Sequence, residues 1–373
     1  MSGDGVAAWL RFFREVFLFT RDFLVIFMNS LRFGVLVLFG CGLLTHALAS
    51  RPTLKLREST TGMEASLRGV AVAGKDEAWV SGSEGTVMRT NDAGKSWERV
   101  RVPDADELDF RDVEIPRPGT VLLMAAGPGK ASKLLRSVDS GKSWKVVLQN
   151  SKPDGFFDGM DFDETGTHGL LYGDPINGRL DLYVTHDGGA SWAPTPSESR
   201  PLLQQGEYGF AASGTGITIS NSVVYVATGG AVARVWRSTD WGKSWAVAAA
   251  PVHAGDESSG IFSIGFLDAN LGLVVGGDYA QPELKEGNLA RSSDGGKTWV
   301  AQPEVKLEHK ACLRPLGQKG VLVCGRTGVV VSWDSGKTWR PIEGGGYFTV
   351  DVDVNARVAY LAGSKGRVAT LQW

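Results

Sequence analysis

Two arginines and one aspartate occupy the same position in successive copies of a short pattern that repeats along the chain. In this pattern an apolar residue is followed by one variable residue and then by small or aliphatic residues. The variable residues, in chain order, are Arg68, Arg111, Asp158, Ala211, Ser263, Cys312 and Thr349. Clustered arginines suit carboxylate or phosphate groups of a ligand or peptide, because a guanidinium offers several donors in a fixed geometry. The alternative to a ligand site, which the sequence leaves open, is that these charged residues pair with one another and only close the central channel of the fold.

Loops beside these positions add further charged and aromatic candidates. The predicted binding residues are Arg68, Arg111, Asp112, Asp158, Asp174, Arg179, Arg234, Asp278, Tyr279 and Arg326. We predict no catalytic residue, no metal ligand and no cofactor, since the histidines are scattered and no nucleotide-binding glycine motif opens a helix. Glu207 and Asp158 are conceivable as a carboxylate pair, but nothing beyond their spacing relates them.

Six copies of the pattern [ST]-x-D-x-G-[KA]-[ST]-W supply the elements that position these residues. Its aspartates are Asp92, Asp139, Asp187, Asp240, Asp294 and Asp334, spaced 40 to 54 residues apart. We expect each aspartate to cap a tight turn by accepting N–H bonds one or two residues further on, and the glycine to adopt a positive φ. The tryptophan begins the next strand and packs between sheets. This pattern is the Asp-box, or BNR repeat, and its period indicates propeller blades.

The predicted fold is therefore all-β, a seven-bladed β-propeller with four-stranded blades. A seventh copy of the inner-strand pattern, at 347–351, has no box after it, so we expect a strand at 53–59 to complete the last blade and close the ring. Six blades followed by a C-terminal cap is the alternative. The composition agrees with many short strands and tight turns, because 49 of 373 residues are glycine and 12 are tryptophan.

The N-terminal residues 1–49 read as an extension followed by a secretory signal. A basic segment at 29–32 precedes an apolar run at 33–44, and Ala47-Leu48-Ala49 offers a cleavage site. A single propeller domain, 50–373, then lies in the periplasm or outside the cell, and an uncleaved membrane anchor is the alternative. Cys312 and Cys324 lie on adjacent predicted strands as a candidate disulfide, or as two small buried side chains.

Several further segments accompany the boxes: Ser66-Leu67-Arg68-Gly69, Trp79-Val80-Ser81-Gly82, Tyr172-Gly173-Asp174-Pro175 and Val275-Gly276-Gly277-Asp278-Tyr279. With them the chain resembles bacterial exported propellers related to the photosystem II stability/assembly factor family, over roughly residues 53–373. The resemblance implies a seven-bladed assembly or protein-binding factor that uses an arginine-rich patch. The resemblance does not identify the biological partner of this chain.

These observations favour a non-enzymatic, monomeric propeller that binds an extracytoplasmic protein or peptide. A net charge of −2 argues against nucleic acid as the partner, and membrane contact is expected only through an uncleaved N-terminal segment. Asp-boxes also occur in sialidases, so a sialidase-like glycoside hydrolase is the alternative. In that case Arg68, Arg234 and Arg326 form a carboxylate clamp, with Tyr208 or Tyr279 as the nucleophile, although no spacing supports the arrangement.

Overall fold

The computed structural model describes residues 52–317 and 319–373. These residues form short strands joined by turns, with 3₁₀ helices at Gly129–Ala131 and Ser197–Ser199. The predicted extension and signal segment, residues 1–49, lies outside the described residues. Within the described part of the chain, no helix is long and apolar enough to cross a membrane.

The strands follow one another closely along the chain. They are β1 (Lys55–Thr60), β2 (Leu67–Val72), β3 (Ala78–Gly82), β4 (Val87–Thr90), β5 (Glu98–Arg99), β6 (Phe110–Arg117), β7 (Thr120–Ala125), β8 (Lys133–Ser137), β9 (Lys145–Gln149), β10 (Phe157–Phe162), β11 (Gly169–Ile176), β12 (Arg179–Thr185), β13 (Ala193–Pro194), β14 (Glu207–Tyr208), β15 (Ile217–Ser220), β16 (Val223–Gly230), β17 (Arg234–Ser238), β18 (Ala246–Ala249), β19 (Ser259–Phe266), β20 (Gly272–Asp278), β21 (Leu289–Ser292), β22 (Val300–Ala301), β23 (Cys312–Pro315), β24 (Val321–Gly325), β25 (Gly328–Ser332), β26 (Arg340–Ile342), β27 (Thr349–Asp353), β28 (Val358–Ala362) and β29 (Arg367–Gln372).

The sheets are antiparallel and are built mostly from strands that are consecutive in the chain. Within residues 52–317 and 319–373, the four-stranded sheets are β2–β5, β6–β9, β10–β13, β23–β26, and β27–β29 with β1 added beside β29. In this last sheet Lys55 lies opposite Gln372 and Thr60 opposite Arg367. A larger sheet combines β15–β18 with β19–β22 through the pair Gly229 and Gly260, and β14 pairs with β16.

The first strand of each four-stranded group contacts the first strand of the next group. These first strands are β2, β6, β10, β15, β19, β23 and β27, and β27 in turn contacts β2, so the contacts form a closed cycle. Antiparallel sheets arranged in such a ring form a β-propeller. The core lies between neighbouring sheets. Trp79 of one sheet, for example, packs with Phe110 and Leu123 of the next, and all three are fully buried.

Each Asp-box turn contains a glycine in the left-handed conformation. The box glycines have φ between 72° and 82°, a conformation that glycine adopts without strain. The aspartates bond further along the turn than we expected. Asp334 accepts the N–H of Thr338 at 2.8 Å and its hydroxyl at 2.5 Å, four residues on. The bonds reach this far because the backbone of the residue after the aspartate also adopts the left-handed conformation, with a φ of 63° at Ser335.

Side chains on the first strands bond directly to the backbone of the next first strand. Each of these side chains accepts the N–H of one residue in the neighbouring sheet. The pairs are Asp112 with Met160, Asp161 with Ile219, Ser263 with Leu313, Cys312 with Val350, and Asp351 with Val72. These bonds tie neighbouring sheets together around the ring.

The candidate disulfide is not formed. Cys312 and Cys324 lie opposite one another on β23 and β24, but both are free, buried thiols. The Cys312 Sγ lies 3.4 Å from both the N and the O of Val350, so it contacts the backbone of the next sheet. The two cysteines therefore act as small buried side chains, which was the alternative prediction.

Candidate functional site

A cavity of about 590 Å³ opens where the first strands begin. We call it the mouth cavity. Each strand group contributes one residue from its first strand or from the segment that leads into it: Arg68, Arg111, Asp158, Ala211, Phe262, Ala311 and Phe348. The other lining side chains include Phe156, Asp174, Tyr208, Phe210, Glu257, Tyr279, His309 and Arg326. The cavity therefore combines arginines, carboxylates and aromatic rings.

β-Bulges turn several of these side chains toward the mouth cavity. The pairing of β2 with β3 passes from Leu67 opposite Gly82 to Gly69 opposite Ser81, so Arg68 has no partner across the ladder. The pairing skips Arg111, Asp158 and Phe262 in the same way. A bulge inserts one residue and redirects its side chain, which is a common device beside binding sites.

The structure changes part of the predicted ring of variable residues. Arg68, Arg111, Asp158 and Ala211 line the mouth cavity. In the last three groups the lining residues are Phe262, Ala311 and Phe348, each one position before the predicted Ser263, Cys312 and Thr349. The pattern therefore placed the cavity residue one position too late in these groups. At Phe262 the reason is visible: Ile261 and Phe262 are successive bulky apolar residues, and the bulge places only Phe262 in the cavity.

Three arginines line the mouth cavity, but only Arg68 makes no ion pair or hydrogen bond with another residue in the described part of the chain. Its guanidinium lies over the ring of Phe348, 4.6 Å from the centroid. Arg111 bonds the carboxylate of Asp109 at 2.8 Å and the carbonyl of Ala211 at 3.3 Å, and Arg326 bonds a backbone carbonyl at 2.5 Å. Burial, and then the charge of Arg111, lowers the pKa of Arg68. Arg68 is thus the cation most available to an anionic ligand.

Asp158 and Asp174, which we call the carboxylate pair, lie in the same cavity. Asp158 is only 2% exposed, and its Oδ2 has no hydrogen-bond partner among the described residues. The Oδ1 of Asp174 also lacks a partner. Burial, together with the charge of Asp174, raises the pKa of Asp158, and burial raises the pKa of Asp174 to about 6. An unpaired buried carboxylate is costly, so this pair is poised to accept a proton or a cation.

Aromatic rings form another wall of the cavity. Phe210 and Phe262 stack with centroids 4.0 Å apart, and Tyr208 and Tyr279 meet this stack edge-on. His309 lies edge-on to Phe262 at 4.6 Å, and neither of its ring nitrogens has a partner among the described residues. Burial lowers the pKa of His309 to about 4, so its ring is neutral at physiological pH. Nothing in the sequence pointed to His309, whereas Phe210 and Phe262 begin copies of the inner-strand pattern.

Four predicted binding residues do not line the mouth cavity. Asp112 is 4% exposed and bonds Met160 of the next sheet; burial raises its pKa to about 7. Arg179 donates to the carbonyl of Arg200 at 2.7 Å. Arg234 forms an ion pair with the buried Glu207. These side chains are already occupied in binding their own neighbours.

Asp278, the fourth of these residues, lies in a different cluster. Its carboxylate accepts the N–H of Ala280 at 2.8 Å. Potential ligand atoms of His253, Asp256 and Asp278 lie within 4.8 Å of one another. This cluster could not be foreseen from residue spacing, because His253 and Asp278 are 25 positions apart, and Asp278 ends the strand β20 whereas His253 lies in a loop.

Comparison with known proteins connects this architecture to one family. The family model described as photosynthesis system II assembly factor YCF48 matches residues 53–192. The photosystem II assembly protein Ycf48 of Thermosynechococcus vestitus is 24% identical over 300 residues, which cover 67% of this chain and 78% of that protein. The photosystem II assembly lipoprotein Ycf48 of a Synechococcus species is 24% identical over 220 residues, which cover 59% of this chain and 58% of that protein.

A solved structure shares the fold as well. The structure of YCF48 bound to D1 peptide superposes with a TM-score of 0.61 at 16% identity, covering 85% of this chain and 97% of that one. The chain is an Asp-box propeller related to the photosystem II assembly factor family. The resemblance expected from the sequence is thus confirmed.

Most of the predicted sialidase residues line the mouth cavity, including both candidate nucleophiles, Tyr208 and Tyr279. The three-arginine clamp is not formed. The proposed clamp required Arg234 beside Arg68 and Arg326. Only Arg68 and Arg326 line the mouth cavity, since Arg234 and the Trp236 indole both bond Glu207. Glu207, the conceivable partner of Asp158 in a carboxylate pair, bonds Arg234 and does not line the mouth cavity.

Proposed function

We propose that this protein is a non-enzymatic propeller that binds an exposed segment of another polypeptide in the mouth cavity. The observation that carries the proposal is the Arg68 guanidinium, held on Phe348 and left without a protein anion at an open cavity. Such a group recognises carboxylates well. The relatives support this function, because two are photosystem II assembly proteins and a related structure contains a D1 peptide. Binding of this kind would assist the assembly of an envelope or membrane complex.

The proposal treats residues 50–373 as one monomeric domain with seven four-stranded blades. The closed cycle of first strands supports the count, and the pairing of β1 with β29 supports an N-terminal strand that completes the last blade. A ligand bound at the mouth then contacts side chains from every blade.

We also propose that the domain functions outside the cytoplasm. The support is the signal-like sequence at 28–49 and the lipoprotein name of one relative. Mass spectrometry of the protein recovered from cell fractions tests this location. A mature chain that begins at Ser50 in the periplasm is expected, and an intact N-terminus in the membrane would indicate the anchored alternative.

Affinity capture with charge-reversed bait tests the binding function. The purified protein is immobilised and incubated with solubilised native envelope, and the retained proteins are identified by mass spectrometry. We expect Arg68→Glu to reduce recovery of the partner about tenfold or more, because it places a carboxylate where the ligand's anion binds. Arg99→Glu is the matched control, since Arg99 is exposed on the outer strand β5.

Thermal unfolding of both variants accompanies the capture experiment. Arg68 makes no ion pair with another described residue, so Arg68→Glu should unfold close to the wild-type temperature. Equal recovery by wild type and a folded Arg68→Glu variant would exclude this face as the binding site.

A further inference from the structure

The carboxylate pair has buried, unsatisfied polar atoms in the mouth cavity. Asp158 and Asp174 each leave one oxygen without a hydrogen-bond partner among the described residues, and Asp158 is almost completely buried. The backbone at Gly209, from the next strand group, packs against the pair, so that a Cβ there would come within 2.4 Å of the Asp158 Oδ2. Only glycine fits there, so the backbone covers the pair without supplying a cation.

No arginine or lysine of the described chain forms an ion pair with either carboxylate. Arg111 comes from the neighbouring sheet, but its guanidinium is occupied by Asp109 and the carbonyl of Ala211. The other side chain packed near the pair is Tyr172, whose hydroxyl is also buried without a partner among the described residues. A buried carboxylate that stays ionised needs a nearby positive charge. The charge of Arg111 lowers the pKa of Asp158, but burial outweighs it. A cation that bonds the pair directly would have to come from a ligand.

Charges of opposite sign thus lie at different parts of one cavity. Arg68 comes from the first strand group and Arg326 from the sixth, and these groups are close in the closed cycle. Asp158 and Asp174 come from the third group. A ligand that satisfies both regions carries an anionic group and a cationic group.

We propose that the carboxylate pair is a subsite for a basic side chain, lysine or arginine, of the bound polypeptide, while Arg68 receives an acidic group of the same segment. This inference rests on the proposed peptide-binding function and specifies the chemistry of the peptide. It makes the mouth cavity selective for segments that contain both charges, because a purely acidic segment leaves the carboxylate pair unpaired.

A displayed library of random heptapeptides tests the proposal and does not require the partner to be identified. The library is selected against purified wild type, the double variant Asp158→Asn with Asp174→Asn, and Asp154→Asn as a matched control on an exposed loop residue. We expect wild type and the control to enrich peptides that contain both an acidic and a basic residue. The double variant should keep the acidic preference and lose the basic one.

Affinity measurements on one enriched peptide then quantify the subsite. Replacing its basic residue by norleucine should weaken binding to wild type about tenfold or more, equivalent to about 1.4 kcal/mol. The same replacement should have little effect on the double variant, because the partner charges are already gone. Asparagine resembles the protonated acid in shape, so a double variant that binds the basic peptide as tightly as wild type overturns the proposal.

The selections also separate the two levels of inference. If wild type enriches no peptide, the peptide-binding function itself fails, and the subsite with it. If wild type enriches peptides without a basic residue, peptide binding stands and the cationic subsite is wrong. Circular dichroism of each variant ensures that only folded protein enters the comparison.

Discussion

At the scale of single residues, one aspartate side chain organises each box turn. In the last box Asp334 receives bonds from the backbone and hydroxyl of Thr338 and from the hydroxyl of Ser332. Burial opposes ionisation of Asp334, but these bonds prevail and lower its pKa. The box aspartates therefore stabilise the turns, as the sequence interpretation expected, and the proposed binding residues lie at the other end of the strands.

Replacing Asp334 by alanine should destabilise the fold without affecting the mouth cavity. The turn loses three accepted hydrogen bonds, and we expect a loss of about 1 kcal/mol in the free energy of unfolding. Urea denaturation measures this loss, with Asp154→Ala as a control on an exposed aspartate. If Asp334→Ala were as stable as the control, the bonds of this turn would contribute nothing.

At the scale of elements, the strand β1 holds the last sheet together from its outer edge. Glu58 on this strand accepts the N–H of Gly345 at 2.9 Å and the hydroxyl of Tyr347 at 2.7 Å, just before β27 begins. These bonds, first the one from Tyr347, lower the pKa of Glu58. The strand is thus attached both along its length, to β29, and at its end, to the segment that leads into β27.

Removing this second attachment gives a prediction about the element. Glu58→Ala leaves the hydroxyl of the buried Tyr347 without its acceptor, and we expect a loss of about 1 to 2 kcal/mol in the free energy of unfolding. Glu64→Ala is the control, because Glu64 is exposed and just beyond the strand. Hydrogen exchange should also show faster exchange of the β1 amides in Glu58→Ala, and unchanged exchange would mean that the attachment is not used.

At the scale of the whole molecule, buried carboxylates give the propeller an unusual dependence on pH. Burial raises the pKa of Asp112 to about 7 and that of Asp161 to about 6, against an ordinary value of 3.8. Between pH 4 and pH 7 the folded state therefore holds protons that the unfolded chain has released. The free energy of unfolding falls as pH rises through this range. The box aspartates have the opposite effect below pH 4. Hydrogen bonds within the turn hold the pKa of Asp92 at about 2, so the free energy of unfolding falls as pH drops toward that value.

We therefore expect maximum stability between about pH 4 and pH 5, with losses on both sides. Urea denaturation at pH 3, 4.5 and 7.5 measures the profile. Asp161→Asn should reduce the loss between pH 4.5 and 7.5, because its amide cannot ionise yet still offers an acceptor to the N–H of Ile219. Stability that rises steadily from pH 4.5 to 7.5 would contradict this account.

The sequence was most informative where one residue type has one physical role. The box pattern requires a positive φ at glycine and a capping aspartate, so the repeated turns and the propeller fold were predictable. The mouth cavity was only partly predictable. Arg68 and Asp158 were found because polar residues stand out at an apolar strand start, whereas Phe262 was missed because a bulge decides which of two adjacent hydrophobic residues faces the cavity. The separation of Arg234 from the site depends on Glu207, and only the three-dimensional structure brings these two residues together.

The pairing of β1 with β29 also determines when this protein can finish folding. Residues 55–60 leave the ribosome, or enter a secretion channel, hundreds of positions ahead of their partners at 367–372. Through that whole interval β1 remains an unpaired edge, and contacts so distant in sequence form slowly. The union of the two ends should therefore be among the last events after synthesis. A chain that stalls even a few residues before its C-terminus would then leave its two ends apart, and proteases would reach this seam first.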